Sequence, residues 1–247
     1  DQPRSRGLGD VYKRQALWQR RWMEGEVRQR HLDYWGAQLA GSPAMSTLPA
    51  DYPRAAAQSF KAATFESMLP ADVTLALGDL ARRQQCTLFM VLMAGLQLLL
   101  VRYTGKTDLN IGTVAAHRDR AELEPLIGLL LDTLVIRTRV DLQASFERLL
   151  QQVRGTTLQA YAHQGLPFDQ ILDAVKPPRR PGMPPLFQVM LLLQNLPDER
   201  LDLSGLKLEN LARPPSGAKF DLTIYATQGP DGLHLAYEYD TALYKAD

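Results

Sequence analysis

Four histidines, one cysteine and a scatter of carboxylates are the groups in this 247-residue sequence whose types suit nucleophilic, acid–base or metal chemistry. His31, His117, His163 and His234 form neither an HxH nor an HExxH pair, so no ligand spacing supports a histidine-bound metal centre. Cys86 stands alone, which removes intramolecular disulfides and cysteine-cluster metal sites and fits a reducing compartment; it reads as a small buried residue between two helices. HQGLPFD at 163–169 places an imidazole and a carboxylate in one short stretch, but that stretch reads as a turn between helices, where such residues cap and pack. His117 lies in a polar turn beside Arg118, Asp119 and Arg120 and reads as an exposed loop histidine. Lys+Arg of 28 against Asp+Glu of 27 leaves a net charge of +1, and no long-range field that would favour nucleic acid or anionic lipid.

These groups need a scaffold, and 45% hydrophobic with 22% charged residues describes a chain able to bury a core. Residues 16–39 repeat Leu17, Trp18, Trp22, Val27, Leu32, Trp35 and Leu39 at helical steps, with the tryptophans on a packing face. Pro43 to Pro53 then runs as an extended connector. Residues 63–69 predict a strand, and 71–85 a helix whose apolar face is Val73, Leu75, Leu77, Leu80 and Ala81. Thr87 caps the apolar run 88–103 and Gly105 ends it. Its longest uninterrupted part, 88–101, contains Gln97 and falls short of the roughly 20 residues that span a bilayer, so it reads as a buried helix.

Residues 108–115 suit a buried strand, and 127–140 a strand whose β-branched residues predict a central position. Helical spacing returns over 145–163, with Phe146, Leu149, Leu150, Val153 and Leu158 on one face; Pro167 opens a further short helix. KPPRRPGMPP at 176–185 is a loop. Strands are predicted at 186–194, 207–212, 220–227 and 233–239, with a GPDG hairpin turn at 229–232. The pattern predicts an α/β layered domain with a mixed sheet and an antiparallel ending, and shows no internal repeat.

The first residues read differently from the rest. SRGLGDVYKRQ at 5–15 back-translates into a transposase-based sequencing adapter read in frame. Residues 1–15 are therefore expected to be an adapter-derived, disordered leader, and 16–247 the folded part.

From residue 16 onward the ordered series ALWQRRW, YWGAQLAG, LPADYPR, TLFMVLMAGLQLLLVRYTG, IGTVAAHRDRAELEPLIGLLLDTLVIR, HQGLPFD, PLFQVMLLLQN, GAKFDLTIY and EYDTALY resembles the second half of a condensation domain of non-ribosomal peptide synthetases. The resemblance implies a two-layer lobe like that of chloramphenicol acetyltransferase, a mixed β-sheet with packed helices and antiparallel C-terminal strands. It further implies truncation at both ends, because the family places a complementary lobe before this one and a final helical segment after it.

In that family two lobes enclose a tunnel, and carrier proteins present thioesters on phosphopantetheine arms from opposite faces. The acceptor amine attacks the donor thioester, which calls for proximity, a group that positions or deprotonates the amine, and oxyanion stabilisation. The family signature HHxxxDG is absent: no two histidines are adjacent, and the only Asp-Gly pair, Asp231 and Gly232, sits in the predicted hairpin. The resemblance therefore assigns no catalytic residue to this chain, which alone is expected to be inactive.

Supporting roles are implied residue by residue. Arg118 aligns with an arginine that pairs with the signature aspartate, against the alternative of a surface arginine in a polar turn. Asn195 aligns with a tunnel-wall amide able to donate to an oxyanion, against a turn-forming asparagine. Residues 128–137 match GxFVNTxxxR with Asp132 in place of asparagine; Asp132 and Thr133 are candidate wall residues and the neighbouring leucines pack. Ser216 is a candidate substrate contact. His163, Gln164, Pro167, Phe168 and Asp169 correspond to HQDxPFE, a structural motif.

No metal and no cofactor bound by this lobe are implied; the phosphopantetheine arms belong to the carriers. Expected partners are the complementary N-terminal lobe, donor and acceptor peptidyl carrier proteins and an adjacent adenylation domain, in the cytoplasm, without nucleic acid or membrane. Arg82, Arg83, Arg179 and Arg180 are either carrier contacts or solvated surface charge. Three alternatives stay open: an epimerisation or cyclisation domain of the same fold, a degenerate module that recruits a partner without chemistry, and a stand-alone acyltransferase.

Overall fold

The computed structural model describes residue 17 and residues 23–116, 131–194 and 217–246. The expected leader 1–15, Trp18 and Trp22, and the expected strand at 207–212 lie outside the described residues. Chain order gives α1 (Gly25–Leu39), β1 (Ala62–Pro70), α2 (Ala71–Arg83), α3 (Leu88–Thr104), β2 (Asp108–Ala116) and β3 (Leu131–Arg139). Then follow α4 (Phe146–Ala162), α5 (Phe168–Val175), β4 (Val189–Gln194), β5 (Leu222–Gly229) and β6 (Gly232–Asp240). The strands form one sheet in the order β1-β6-β5-β4-β2-β3. Pairing is antiparallel for β1–β6, β5–β6 and β2–β3 and parallel for β2–β4 and β4–β5, which makes the mixed sheet with antiparallel C-terminal strands that the pattern predicts.

Local chemistry sets many of the boundaries. The Met90 amide donates to the Thr87 hydroxyl at the start of α3, and Gly105 ends the helix at φ 68° with its N–H on the Val101 carbonyl at 2.8 Å. Ser145 caps α4 by accepting from the Arg148 amide. Buried residues cover most of α3 from Phe89 to Val101, as its apolar composition requires, and leave a narrow exposed stripe of Gly95, Leu99, Arg102 and Tyr103. Among the described residues no single helix is long and apolar enough to cross a membrane.

Four expectations need correction. The helix expected over 16–39 is interrupted by a turn at Met23 and a bend at Glu24, and Gly25 stands at φ 61°, outside right-handed helical space. On α2 the buried residues are Thr74 and Ala81, while Val73 and Leu75 face solvent. On α4 the buried stripe continues through Thr157 and Ala160, leaving Leu158 exposed. Finally, among the described residues β3 is not central but stands at the edge of the sheet.

The β-branched run of β3 is nevertheless buried because α4 and α5 pack against it, and side chains cover its outer edge as well. The Gln38 amide donates to the Arg137 carbonyl at 3.4 Å and the Gln152 amide to the Arg139 carbonyl at 3.1 Å. These contacts occupy outward-facing acceptors that would otherwise pair with another chain. Arg137 itself is buried and uses all five of its donors. Nε and Nη2 bind the Asp108 carboxylate at 2.9 and 2.7 Å, and the rest reach the carbonyls of Gln38, Ala40 and Gly41 at the end of α1.

Burial alone would raise the Asp108 carboxyl, but hydrogen bonding and charge from Arg137, with Arg139 beside it, outweigh burial and hold its pKa below the ordinary value. A carboxyl whose pKa is lower in the folded than in the unfolded state contributes stability above the unfolded pKa and loses it as pH falls through the folded one. Asp108 is thus expected to steepen acid unfolding below about pH 4. Urea titrations across that range should show a shallower acid limb for Asp108→Asn; a slope equal to wild type would contradict this account.

Candidate functional site at one end of the sheet

Register brings two of the site candidates, Asp132 and Thr133, to one end of the sheet. Ala116 pairs with Leu131, Ala115 with Asp132 and Val114 with Thr133. Because β2 and β4 run parallel with Gly112 level with Met190, they end together, and β5 ends beside them with Thr227 opposite Gln194. The Thr227 hydroxyl donates to Gln194 Oε1 at 3.2 Å. Arg118 and Asn195 lie outside the described residues, but Ala116 and Gln194 deliver the chain toward them from neighbouring strands at the end that holds Asp132 and Thr133. His117, residues 128–130 and Ser216 also lie outside the described residues. Gly217, next after Ser216, precedes β5 and so stands toward the opposite end, where a Cβ on it would lie 2.7 Å from the Phe60 carbonyl.

Asp132 and Thr133 do not share a surface. Successive strand residues point to opposite faces. Asp132 lies with Leu134, Ile136 and Thr138 on the face that meets α3, where the Gln97 amide donates to the Thr138 hydroxyl at 2.9 Å, and Asp132 is buried there. Thr133 is half-buried on the other face, in line with Val114. That second face is covered on one half by aromatic rings: Phe187 packs against Phe168 and Phe220 at 5.8 and 4.9 Å between centroids and lies over Gly112.

The HQGLPFD residues make packing contacts. His163 ends α4, and since the Gln159 carbonyl 2.9 Å away can only accept, Nδ1 carries the proton. Its ring stacks on Tyr34 at 3.9 Å and meets His31 edge-on at 5.2 Å, while its carbonyl accepts from Trp35 Nε1 at 3.0 Å. Burial pushes the Tyr34 phenol up to about 12. The Gln164 amide donates to the Tyr161 carbonyl at 3.3 Å. Pro167 caps α5, Phe168 joins the ring cluster and Asp169 places its charge in the first turn of α5.

The remaining nucleophile and cations stand apart. Burial pushes the half-buried Cys86 thiol up despite the charge of Arg154, and Sγ donates to the Gln84 carbonyl at 3.3 Å. Arg82, Arg83, Arg179 and Arg180 are exposed, with Arg82 paired to Asp79. Among the described residues no group of three His, Cys, Asp or Glu side chains comes together to hold a metal ion.

Two features escaped the sequence. Asp221 is fully buried in a two-pronged ion pair with Arg54, which also donates to the Gly182 carbonyl at 3.1 Å, joining LPADYPR to GAKFDLTIY. Tyr225 and Glu238 stand on the Thr133 face of β5 and β6. The period-2 alternation of those strands was a signal for the second; nothing in the sequence paired Arg54 with Asp221.

Among the described residues a mixed six-stranded sheet with packed helices, whose strands β2, β4 and β5 finish together at one end, matches the architecture of condensation-type domains, and comparison with known proteins agrees. The family model "Condensation domain" matches residues 2–247, and the chain belongs to that family. It is 42% identical over 235 residues to a linear gramicidin synthase of Brevibacillus parabrevis, covering 94% of this chain and 3% of that protein. It is 39% identical over 233 residues to malpinin synthetase of Mortierella alpina, again covering 94% of this chain and 3% of that protein. The chain thus spans a small fraction of the length of the synthetases it matches. Among solved structures, the X-domain of teicoplanin biosynthesis in complex with OxyB superposes with a TM-score of 0.82 at 26% identity, covering 94% of this chain and 53% of that one.

Proposed function

We propose that this chain is the C-terminal lobe of an amide-forming condensation domain in a multidomain synthetase. The observation that carries the reading is the 42% identity, along nearly the whole chain, to a peptide synthase of which it covers 3%. In the reaction the acceptor amine nitrogen attacks the donor thioester carbonyl carbon. A C–N bond forms, the C–S bond breaks, the amine proton is lost and the pantetheine sulfur leaves as a thiol. Holding both arms together supplies proximity, and a preorganised donor stabilises the oxyanion.

Within this chain, Arg118 orients the signature loop of the complementary lobe, Asn195 donates to the oxyanion or a substrate carbonyl, Thr133 belongs to the wall and Ser216 contacts substrate. Asp132, facing the helices, supports the wall from behind. HHxxxDG is absent from these 247 residues, so the chain alone forms no amide. Its partners are the complementary lobe, donor and acceptor carrier proteins with their phosphopantetheine arms and an adenylation domain, in the cytoplasm.

Joining the chain to a complementary lobe that carries HHxxxDG, and supplying loaded carriers, should yield peptidyl product by mass spectrometry, with none from the chain alone. Arg118→Ala in the joined domain should cut the rate on the order of 10²-fold, the scale of a small misplacement at a reacting centre. Product from the chain alone, or an unaffected Arg118→Ala domain, would overturn these assignments. A second reading, a recruiting module without chemistry, is favoured by the likeness to the X-domain, whose structure was solved in complex with OxyB. A joined domain that makes no amide yet captures a partner enzyme would support it.

A further inference from the structure

Register places one row of side chains across the sheet on the Thr133 face. Thr133 pairs with Val114, Val114 is level with Leu192, Leu192 pairs with Tyr225, Tyr225 with Ala236 and Ala236 with Glu66. Thr133, Val114, Leu192, Tyr225 and Ala236 are all half-buried, neither sealed in the core nor free in solvent. Tyr225 is the largest side chain of the row and stands between Leu192 and Ala236, so its ring rises above its neighbours. Three strand spacings of about 4.8 Å separate it from Thr133, about 14 Å along one surface.

The backbone beneath the ring is also well fixed. β5 is paired along its length on both sides, which holds the Tyr225 backbone more firmly than an edge strand or loop would. Glu238 lies two residues beyond Ala236 on the same face, diagonal to Tyr225, with Lys219 near it. Burial, and then the charge of Glu238, push the Tyr225 phenol above its ordinary value, so it remains a hydrogen-bond donor at neutral pH.

We propose that Tyr225 is a specificity-determining residue, limiting the size of the substrate side chain laid against this face and offering its hydroxyl to side chains that carry an acceptor atom. The inference rests on the condensation reading above and adds to it the residue that selects.

The test uses the domain made of this chain and its complementary lobe, with aminoacyl-pantetheine thioesters of small and large side chains offered in turn as acceptor and donor. In Tyr225→Ala the ratio of kcat/KM for large over small side chains should rise about tenfold or more in one of the two series, the scale of a few methylenes in a pocket. Tyr225→Phe should keep the size order but lose several-fold on side chains with an acceptor atom. Tyr225→Leu, which keeps apolar bulk in β5, serves if the alanine variant unfolds. Dissociation constants of non-hydrolysable aminoacyl-pantetheine amides should follow the same order. An unchanged size order in both rate ratio and affinity, for both series in a folded variant, overturns the proposal. Absence of amide product from the wild-type domain defeats the condensation reading instead, and the affinity order still decides for or against Tyr225.

Discussion

Replacing Arg54 by alanine should lower the unfolding free energy by about 3–5 kcal/mol, the cost of stranding a buried charge. The reason is Asp221, which is 1% exposed and whose carboxylate is held by two guanidinium nitrogens. Once Arg54 is gone that carboxylate keeps its burial and loses its counter-charge. The Gly182 carbonyl also loses its donor, at a position where a Cβ would lie 2.1 Å from the Ala55 carbonyl, so loop 176–185 has little freedom to adjust.

A paired substitution separates the ion pair from the packing. Arg54→Met with Asp221→Leu removes both charges together and should recover most of the loss, because hydrophobic replacement of a buried pair is often neutral. Urea midpoints of the single and double variants measure the difference. A single variant within about 1 kcal/mol of wild type would mean that water reaches Asp221. The effect also bears on function: the Asp221 carbonyl accepts from the Asp240 amide at 3.1 Å, and β5 begins at the next residue, so this anchor helps set the register that presents Tyr225.

Gly112→Ala is expected to be the other large loss, about 1–3 kcal/mol by overpacking. A Cβ on Gly112 would fall 2.1 Å from Phe187 Cε2, and the Phe187 ring is fully buried between Phe168 and Phe220. The ring cannot swing outward without opening a cavity among its neighbours. Phe187→Leu, costly alone through lost volume, should cost less in the Gly112→Ala background, giving a favourable coupling between the two positions. Thermal melts of the four proteins measure it, and additive losses would show that the backbone moves rather than the ring. Gly112 stands where β2 meets β4, so a shifted ring would also disturb the level at which those strands end.

Much of this architecture was legible because it is written in short-range chemistry. Thr87, Gly105 and Ser145 mark helix ends through bonds within one turn, and the GPDG hairpin and the proline-rich loop follow from backbone restriction at glycine and proline. The errors have a common source. Leu75 and Leu158 are apolar but exposed, whereas Thr74 and Thr157 are buried, because which side of a helix meets the sheet is decided by its docking angle rather than by hydrophobicity alone. The β-branched run of β3 suggested a central strand, yet burial there comes from α4 and α5 packing on it, while Gln38 and Gln152 cover the backbone of its edge.

The candidate site divides in the same way. The motif series assigned the family, and the comparisons agree with it. The match to GxFVNTxxxR made Asp132 and Thr133 both wall candidates, but strand geometry sends them to opposite faces. Periodicity, capping and motif order are local properties, and the sequence by itself determined them: the order of helices and strands, the ends of α3 and α4, and membership of the condensation family. Only the tertiary structure decided that β2, β4 and β5 end side by side, that Arg54 finds Asp221, that Phe187 occupies the space Gly112 leaves, and that Tyr225 shares a row with Thr133. Each of these joins segments far apart in the chain, through sheet register and packing, which no spacing within a single segment encodes.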